Sequence, residues 1–326
     1  MKRVIVSLGL ILLLFGGGLG GGWVWFESLR AQPGPLEKDT NIVVAHGSLD
    51  RLAAGLVDAG AVESAFYFKC AVWLTGNDGK LRAAEFSFPA HASLNRVMAI
   101  LRTAKPVQHR VTIPEGLTAH QIAAVLAKAD TATGDVGRFE EGSVLPQTYD
   151  YEFGTPRDGI LARARTAMTK ALAVAWAARA ADLPLSTPHD AVILASIVER
   201  ETAKPDERAH VAAVYENRLR QGMKLQADPT VVYAASNGAG VLDHPLSRAE
   251  LERNDPFNTY RNTGLPPGPI CAPSVASIQA VLHPIPSGDL YFVADGTGGH
   301  AFAATREEHE RNVARYRALQ SGRTQQ

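Results

Sequence analysis

Glu201 is the residue of this 326-residue chain whose setting most favours acid chemistry. It ends an apolar segment for which we predict a helix that begins near Ser186 or Thr187, with Pro188 in its first turn. At about 100° per residue, Glu201 falls on the same face as the aliphatic residues of this segment, whereas Glu199 and Arg200 point to roughly the opposite side. The aliphatic residues of that face are Ala191, Leu194, Ile197 and Val198.

A carboxyl group among aliphatic side chains is costly to ionise, so burial should raise the pKa of Glu201. A carboxyl that holds its proton near neutral pH can act as a general acid. The alternative is a glutamate at an internal interface that forms an ion pair with an arginine. The helix pattern alone leaves both interpretations open.

Polar residues after the predicted helix are candidates for binding a substrate. Asn217 and Arg218 lie on the next predicted helix, where Arg218 pairs either with an acidic residue of the preceding helix or with solvent. Gln226 and Asp228 precede Pro229 in a loop. Asp228 is a candidate for substrate binding or, alternatively, for the N-cap of a helix that starts at Pro229.

A Gly- and Pro-rich stretch carries three further candidates, Asn258, Thr259 and Tyr260. Their amide and hydroxyl groups could line a cleft and donate hydrogen bonds to sugar hydroxyls, because loops often carry binding residues. Turn formation is the alternative role for these residue types. His300 follows two glycines and either begins a strand or faces a cleft.

Composition and motifs exclude several classes of function. The 33 basic and 33 acidic residues cancel, so nothing indicates a nucleic-acid partner. The chain has no His-Glu-x-x-His zinc signature, Gly-x-Ser-x-Gly elbow, Walker loop or dinucleotide-binding glycine motif. We therefore predict no metal and no cofactor, which leaves carboxylate chemistry. The two cysteines, Cys70 and Cys271, fit either one disulfide or two free thiols.

The N-terminal sequence predicts a membrane anchor. Residues 4–26 carry no charge, and a helix of this length spans a bilayer core of about 30 Å. Positive charge at residues 1–3 should keep that end cytoplasmic, while Trp23 and Trp25 suit the opposite interface. We therefore expect a single-pass anchor in the inner membrane over 4–26, a linker over 27–40 and a periplasmic remainder. A cleaved signal peptide is the alternative.

Three related segments follow the linker, at 41–56, 84–101 and 109–126. Each has an alternating strand, a turn, a Ser or Thr at the N-cap position and an amphipathic helix. They predict a compact α+β N-terminal region whose role is either binding or support of the fold.

From about residue 130 the pattern becomes mainly helical. We predict helices over 158–181 and 206–220, before and after the helix that carries Glu201. A hairpin of 290–294 with 300–303 and a final capped helix complete the chain. The predicted fold class is α+β.

Four ordered segments are specific enough to indicate a family. They are Ser196–Thr202 (SIVERET), Tyr215–Thr230 (YENRLRQGMKLQADPT), Asn258–Gly268 (NTYRNTGLPPG) and Tyr291–His300 (YFVADGTGGH). Together they resemble the YceG-like (MltG) family of membrane-anchored endolytic murein transglycosylases. The resemblance covers nearly the whole chain, including the apolar N-terminus.

The resemblance implies a small LysM-like subdomain at 41–128 and, over 129–326, a catalytic domain similar to lysozyme-type transglycosylases. The family's catalytic glutamate directly precedes the threonine of the first motif, which makes it Glu201 here, as the helix-face argument also predicts. Gln147 departs from the family, which has Asp at this position, so this chain lacks the carboxyl group that the family carries there.

The activity that the resemblance implies is that of a lyase. It would cleave the bond between N-acetylmuramic acid (MurNAc) and N-acetylglucosamine (GlcNAc) in nascent peptidoglycan strands, leave 1,6-anhydro-MurNAc ends and so terminate strand elongation. Peptidoglycan would be the substrate, and peptidoglycan synthases are expected partners. The alternative is a non-catalytic, membrane-anchored peptidoglycan-binding protein.

Overall fold

The computed structural model describes residues 21–76 and 79–323. The predicted cytoplasmic end and the first part of the predicted anchor, residues 1–20, lie outside this range. The described chain contains no helix that is both long enough and apolar enough to cross a bilayer. The helix over residues 21–31 is α1.

The chain forms two compact units. The first contains the described residues up to His109 together with Glu152–Gly154, and the second contains Arg110–Tyr151 and the described residues from Thr155 onward. The predicted boundary at 128/129 lies within the second unit.

The first unit is a two-stranded antiparallel sheet covered by helices. Its elements after α1 are β1 (Thr40–Val43), α2 (Leu49–Asp58), α3 (Ala65–Leu74), β2 (Glu85–Phe88) and α4 (Leu94–Thr103). Ile42 of β1 pairs with Phe86 of β2, and Phe86 and Phe88 are fully buried together with Phe68 and Leu101. Aromatic side chains therefore fill the centre of this small core, where they bury the most area per residue.

The three related segments form the predicted strands and helices. Ser48 and Ser93 cap α2 and α4 by accepting hydrogen bonds from the backbone N–H groups three residues on. Thr118 caps α5 (Ala119–Ala127) in a capping box with Gln121. This local prediction is confirmed, because N-caps depend on nearby residues. β3 (Gln108–Thr112), the strand of the third segment, pairs with β4 (Thr148–Glu152).

The second unit is mainly helical. After α5 and β4 come α6 (Arg157–Ala177), α7 (Pro188–Glu201), α8 (Arg208–Arg220), α9 (Asp228–Ala235), α10 (Arg248–Glu252), α11 (Val275–Leu282), β5 (Tyr291–Ala294), β6 (His300–Ala303) and α12 (Arg306–Arg323). β5 and β6 form the predicted antiparallel hairpin. The described elements therefore confirm an α+β fold.

Helix α7 is the central helix of the second unit and packs against α8 and α11. Thr187 caps it in a capping box with Asp190, and Pro188 is its first residue, as predicted. Every residue from 191 to 198 is buried. The helix is therefore covered on all sides. For this reason the side chain of Glu199, opposite the predicted apolar face, is buried too.

Candidate active site

A cavity of about 210 Å³ lies at the C-terminal end of α7. Glu201, the last residue of α7, lines it. The other lining residues come from α8, from the loop into α9, from Tyr260 and from the β5–β6 hairpin. They include Tyr215, Arg218, Gln226, Asp228, Phe292 and His300.

Burial raises the pKa of Glu201 from 4.5 to about 7. The hydroxyl of Tyr215 opposes this rise, the negative charge of Asp228 adds to it, and the positive charge of Arg218 also opposes it. Oε2 of Glu201 is buried and has no hydrogen-bond partner among the residues that the structure describes. A carboxyl in this setting holds its proton near neutral pH, as the sequence predicts.

Tyr215 and Arg218 lie three residues apart on α8 and face the same cavity. Tyr215 is 1% exposed, and its hydroxyl lies near Glu201 without a hydrogen bond of ordinary geometry. The Arg218 guanidinium donates to the carbonyls of Leu290 (2.7 Å) and Leu225 (2.5 Å). Arg218 forms an ion pair with neither Glu199 nor Glu201, but its charge still favours the ionised form of Glu201.

Gln226, in the loop before α9, and Asp228, the first residue of α9, both line the cavity. Gln226 has a φ of +51°, a left-handed conformation that costs about 1 kcal/mol or more outside glycine. Asp228 accepts a 2.6 Å hydrogen bond from the hydroxyl of Tyr260. The N-cap of α9 is Ala227, without a side-chain cap, so the alternative of Asp228 as an N-cap is wrong.

His300 occupies both of its predicted places, since it begins β6 and lines the cavity. Its Nδ1 lies 2.7 Å from Oε2 of Glu207, and its backbone N–H donates to Oε1 of Glu207 over 3.1 Å. Because Glu207 supplies the acceptor, Nδ1 carries the proton. The His300 ring is thereby fixed beside Phe292, which meets it edge-on at 5.2 Å.

Three predicted substrate-binding residues lie elsewhere and support the backbone. The amide of Asn217 donates to the carbonyls of Ser287 and Asp289 ahead of β5. Asn258 is buried and donates to three carbonyls around the end of α10. Thr259 is also buried and accepts from the backbone N–H of Ala227. None of the three lines the cavity: Asn217 lies on α8, and Asn258 and Thr259 lie in the loop after α10, where their hydrogen bonds hold the backbone.

Glu199 shows the ion-paired setting that was the alternative for Glu201. Its carboxylate accepts from Ser274, through the backbone N–H (2.8 Å) and the hydroxyl (2.5 Å), and lies 3.6 Å from the guanidinium of Arg208. No basic side chain of the described chain comes within ion-pair distance of Glu201. The two neighbouring glutamates therefore have different chemistry.

Sequence reasoning missed Tyr215, Glu207 and Phe292 as residues of the site. Tyr215 begins one of the four family segments, and its spacing to Arg218 indicates a shared helix face. No sequence signal connects Glu207 to His300, which is 93 residues away. Within the described ranges no cluster of His, Cys, Asp or Glu suits a metal ion, and Cys70 and Cys271 are free thiols.

Comparisons with known proteins agree on one family. The model of the YceG-like family matches residues 42–315. An endolytic murein transglycosylase of Bacillus subtilis is 29% identical, over 91% of this chain and 91% of its own length. One from Streptococcus pneumoniae R6 is 29% identical over 97% of this chain, which spans 65% of that relative. A crystal structure of a YceG-like protein from Listeria monocytogenes has a TM-score of 0.51 and 28% identity, covering 84% of this chain and 99% of that one.

Proposed function

Because this chain belongs to the YceG-like family, we propose that it is an endolytic lytic transglycosylase of peptidoglycan, with Glu201 as catalytic acid and base. The observation that carries the proposal is the raised pKa of Glu201, about 7, in a cavity lined by polar side chains. A group that must give and then take a proton works best when its pKa is near the operating pH.

In the first step, protonated Glu201 donates its proton to the oxygen that links MurNAc to GlcNAc. The bond from C1 of MurNAc to this oxygen breaks, the GlcNAc side leaves as an alcohol, and the muramyl acetamido oxygen supports the positive charge at C1. Glu201 is left ionised, a form that Tyr215 and Arg218 stabilise.

In the second step, the Glu201 carboxylate takes the proton of the C6 hydroxyl of the same MurNAc. The C6 oxygen then forms a bond to C1, which closes the 1,6-anhydro ring and restores protonated Glu201. One carboxyl suffices because no water is activated, whereas hydrolytic glycosidases generally use two. We assign Gln226, Asp228 and Tyr260, which line the cavity, to contacts with the sugars. Asn258 and Thr259 support the loops that carry them, and Asn217 holds the segment ahead of β5.

The proposal includes the setting of the enzyme. Residues 4–26 anchor the protein in the inner membrane as a single pass, and the catalytic region lies in the periplasm, where it meets nascent strands and peptidoglycan synthases. The uncharged run of residues 4–26 supports this placement. The N-terminal α+β region acts as a LysM-like module for glycan, and residues 129–326 form a lysozyme-like catalytic domain.

Digestion of purified peptidoglycan by the full-length protein in detergent tests the activity. Mass spectrometry should find muropeptides with anhydro ends, lighter by one water than the products of a hydrolase. Glu201→Gln should lower their release by roughly 10²–10⁴-fold, with exposed Glu140→Gln as the control at wild-type rate. Reducing ends would indicate a hydrolase, and glycan binding without cleavage would indicate the non-catalytic alternative.

A further inference from the structure

Helix α3 has an aromatic side that its own unit leaves uncovered. Phe66 and Trp73 are seven residues apart and therefore lie on one side of the helix, about two turns from each other. They are 66% and 81% exposed, whereas Phe68 and Ala71 are fully buried. α3 is thus apolar on both sides, and only one side is explained by the core of the unit.

The exposed side of α3 continues onto α1. The ring of Trp25 meets the ring of Tyr67 edge-on at 6.3 Å, and Tyr67 meets Phe66 at 5.9 Å. Trp25 is itself 58% exposed. Trp25, Phe66, Tyr67 and Trp73 are hereafter the aromatic face. Lys69 lies between Phe66 and Trp73 on the helix, but its amine turns to Asp50, 2.8 Å away.

The sequence next to the aromatic face indicates what covers it. Trp25 stands at the C-terminal end of the uncharged run of residues 4–26, so the face begins where that run ends. Trp and Tyr concentrate at the boundary between lipid and water, because their rings combine an apolar body with a polar group. One lipid bilayer would explain both features, since it would surround the apolar run and cover the adjoining aromatic surface.

We propose that the aromatic face lies in the interfacial layer of the membrane that residues 4–26 enter, so that α3 is a second contact with lipid. The inference depends on the proposed anchor but not on the proposed catalysis. A helix bound in this way sits about 5–10 Å into the boundary between headgroups and acyl chains. The first unit is then held against the bilayer at two places, which restricts its rotation about the anchor.

Quenching of tryptophan fluorescence by brominated lipids tests the contact in the full-length protein. The chain has four tryptophans, Trp23, Trp25, Trp73 and Trp176, and each variant keeps one and has Phe at the others. The proteins are inserted into vesicles of phosphatidylethanolamine and phosphatidylglycerol whose acyl chains carry bromine at a shallow or a deep carbon. Circular dichroism before reconstitution identifies the variants that are folded.

Emission from Trp73 should fall with bromine content, more with shallow than with deep bromine, and Trp25 should behave in the same way. Trp176, which stacks with Arg179 in the second unit, is the control and should not be quenched. Quenching of Trp25 but not of Trp73 would overturn the proposal. So would a blue shift of the Trp73 emission that depends on protein concentration and not on bromine, because that shift would indicate contact with a second copy of the chain. Since the measurement reads lipid contact, a quenched but inactive protein would refute the catalytic proposal alone.

Discussion

The hydroxyl of Tyr260 donates a 2.6 Å hydrogen bond to Oδ1 of Asp228, and so links the Asn258–Gly268 loop to the first residue of α9. Both residues line the cavity that contains Glu201. The Asp228 charge raises the pKa of Glu201 in addition to burial. The hydrogen bond from Tyr260 holds this charge in place, so the two residues help to set the protonation of the proposed acid.

Asp228→Asn should lower the pKa of Glu201. The substitution removes one raising contribution and leaves burial, the larger one, unchanged. Because the first step of the proposed mechanism needs protonated Glu201, the alkaline limb of the pH profile of kcat/KM should move to lower pH. The limb is measured from the rate of anhydromuropeptide release between pH 5 and pH 9. This range extends about two pH units on either side of the Glu201 pKa.

Tyr260→Phe is the matched control for this change, since it removes the hydrogen bond but keeps the Asp228 charge. Its alkaline limb should stay nearer to that of the wild type. An Asp228→Asn profile that coincides with the wild-type profile would show that Asp228 does not influence Glu201.

His300→Ala should weaken catalysis through the loss of one polar contact in the cavity. A hydrogen bond to substrate is worth about 0.5–1.5 kcal/mol, so we expect kcat/KM to fall by up to about tenfold. Glu207→Gln should have a smaller effect in the same direction, because the amide retains one acceptor for the His300 N–H groups. Initial rates on purified glycan strands give kcat and KM separately.

Lys204→Gln controls for loss of charge near this pair. Its amine lies 3.9 Å from Glu207, and the side chain is 38% exposed, so the ion pair contributes little. Wild-type kinetics for His300→Ala would assign His300 a structural role at the start of β6.

Local sequence signals predicted the parts of the fold that depend on neighbouring residues. The residues that start α7, Thr187, Pro188 and Asp190, are close together in the sequence, so the start of this helix could be predicted. The position of Glu201 among buried residues also follows from helix spacing. α3 has a serine N-cap at Ser64, but it is apolar on both sides and therefore lacks the amphipathic pattern that predicts α2 and α4.

The cavity walls could not be predicted because they depend on long-range contacts. Asn258 and Tyr260 are two residues apart, yet one is buried under α10 and the other bonds to Asp228. In the sequence both are polar residues of one loop, and no local pattern distinguishes their roles. Glu199 and Glu201 differ for the same reason, since Ser274 and Arg208 reach only Glu199.

Asn258→Ala should destabilise the protein more than it impairs substrate binding. The side chain is 1% exposed, donates to three carbonyls and accepts from the backbone N–H of Tyr260. Leaving these buried groups unpaired should cost about 2–3 kcal/mol in the free energy of unfolding, measured by urea denaturation. KM should change little in the folded fraction. Exposed Asn254→Ala is the control, and a higher KM at unchanged stability would make Asn258 a sugar-binding residue.

Glu141 should make stability depend on pH. Burial raises its pKa from 4.5 to about 7, although the backbone N–H of Ala119 and the hydroxyl of Tyr233 donate to its carboxyl. The folded state then binds a proton more tightly than the unfolded state, so the free energy of unfolding should fall as pH rises from 4.5 to about 7 and then level off. The contribution is at most about 3 kcal/mol. Urea denaturation at several pH values measures the dependence of the unfolding free energy on pH. Glu141→Gln should make this dependence weaker, whereas exposed Glu140→Gln should leave it unchanged. The same dependence in both variants would mean that Glu141 ionises normally in the folded protein.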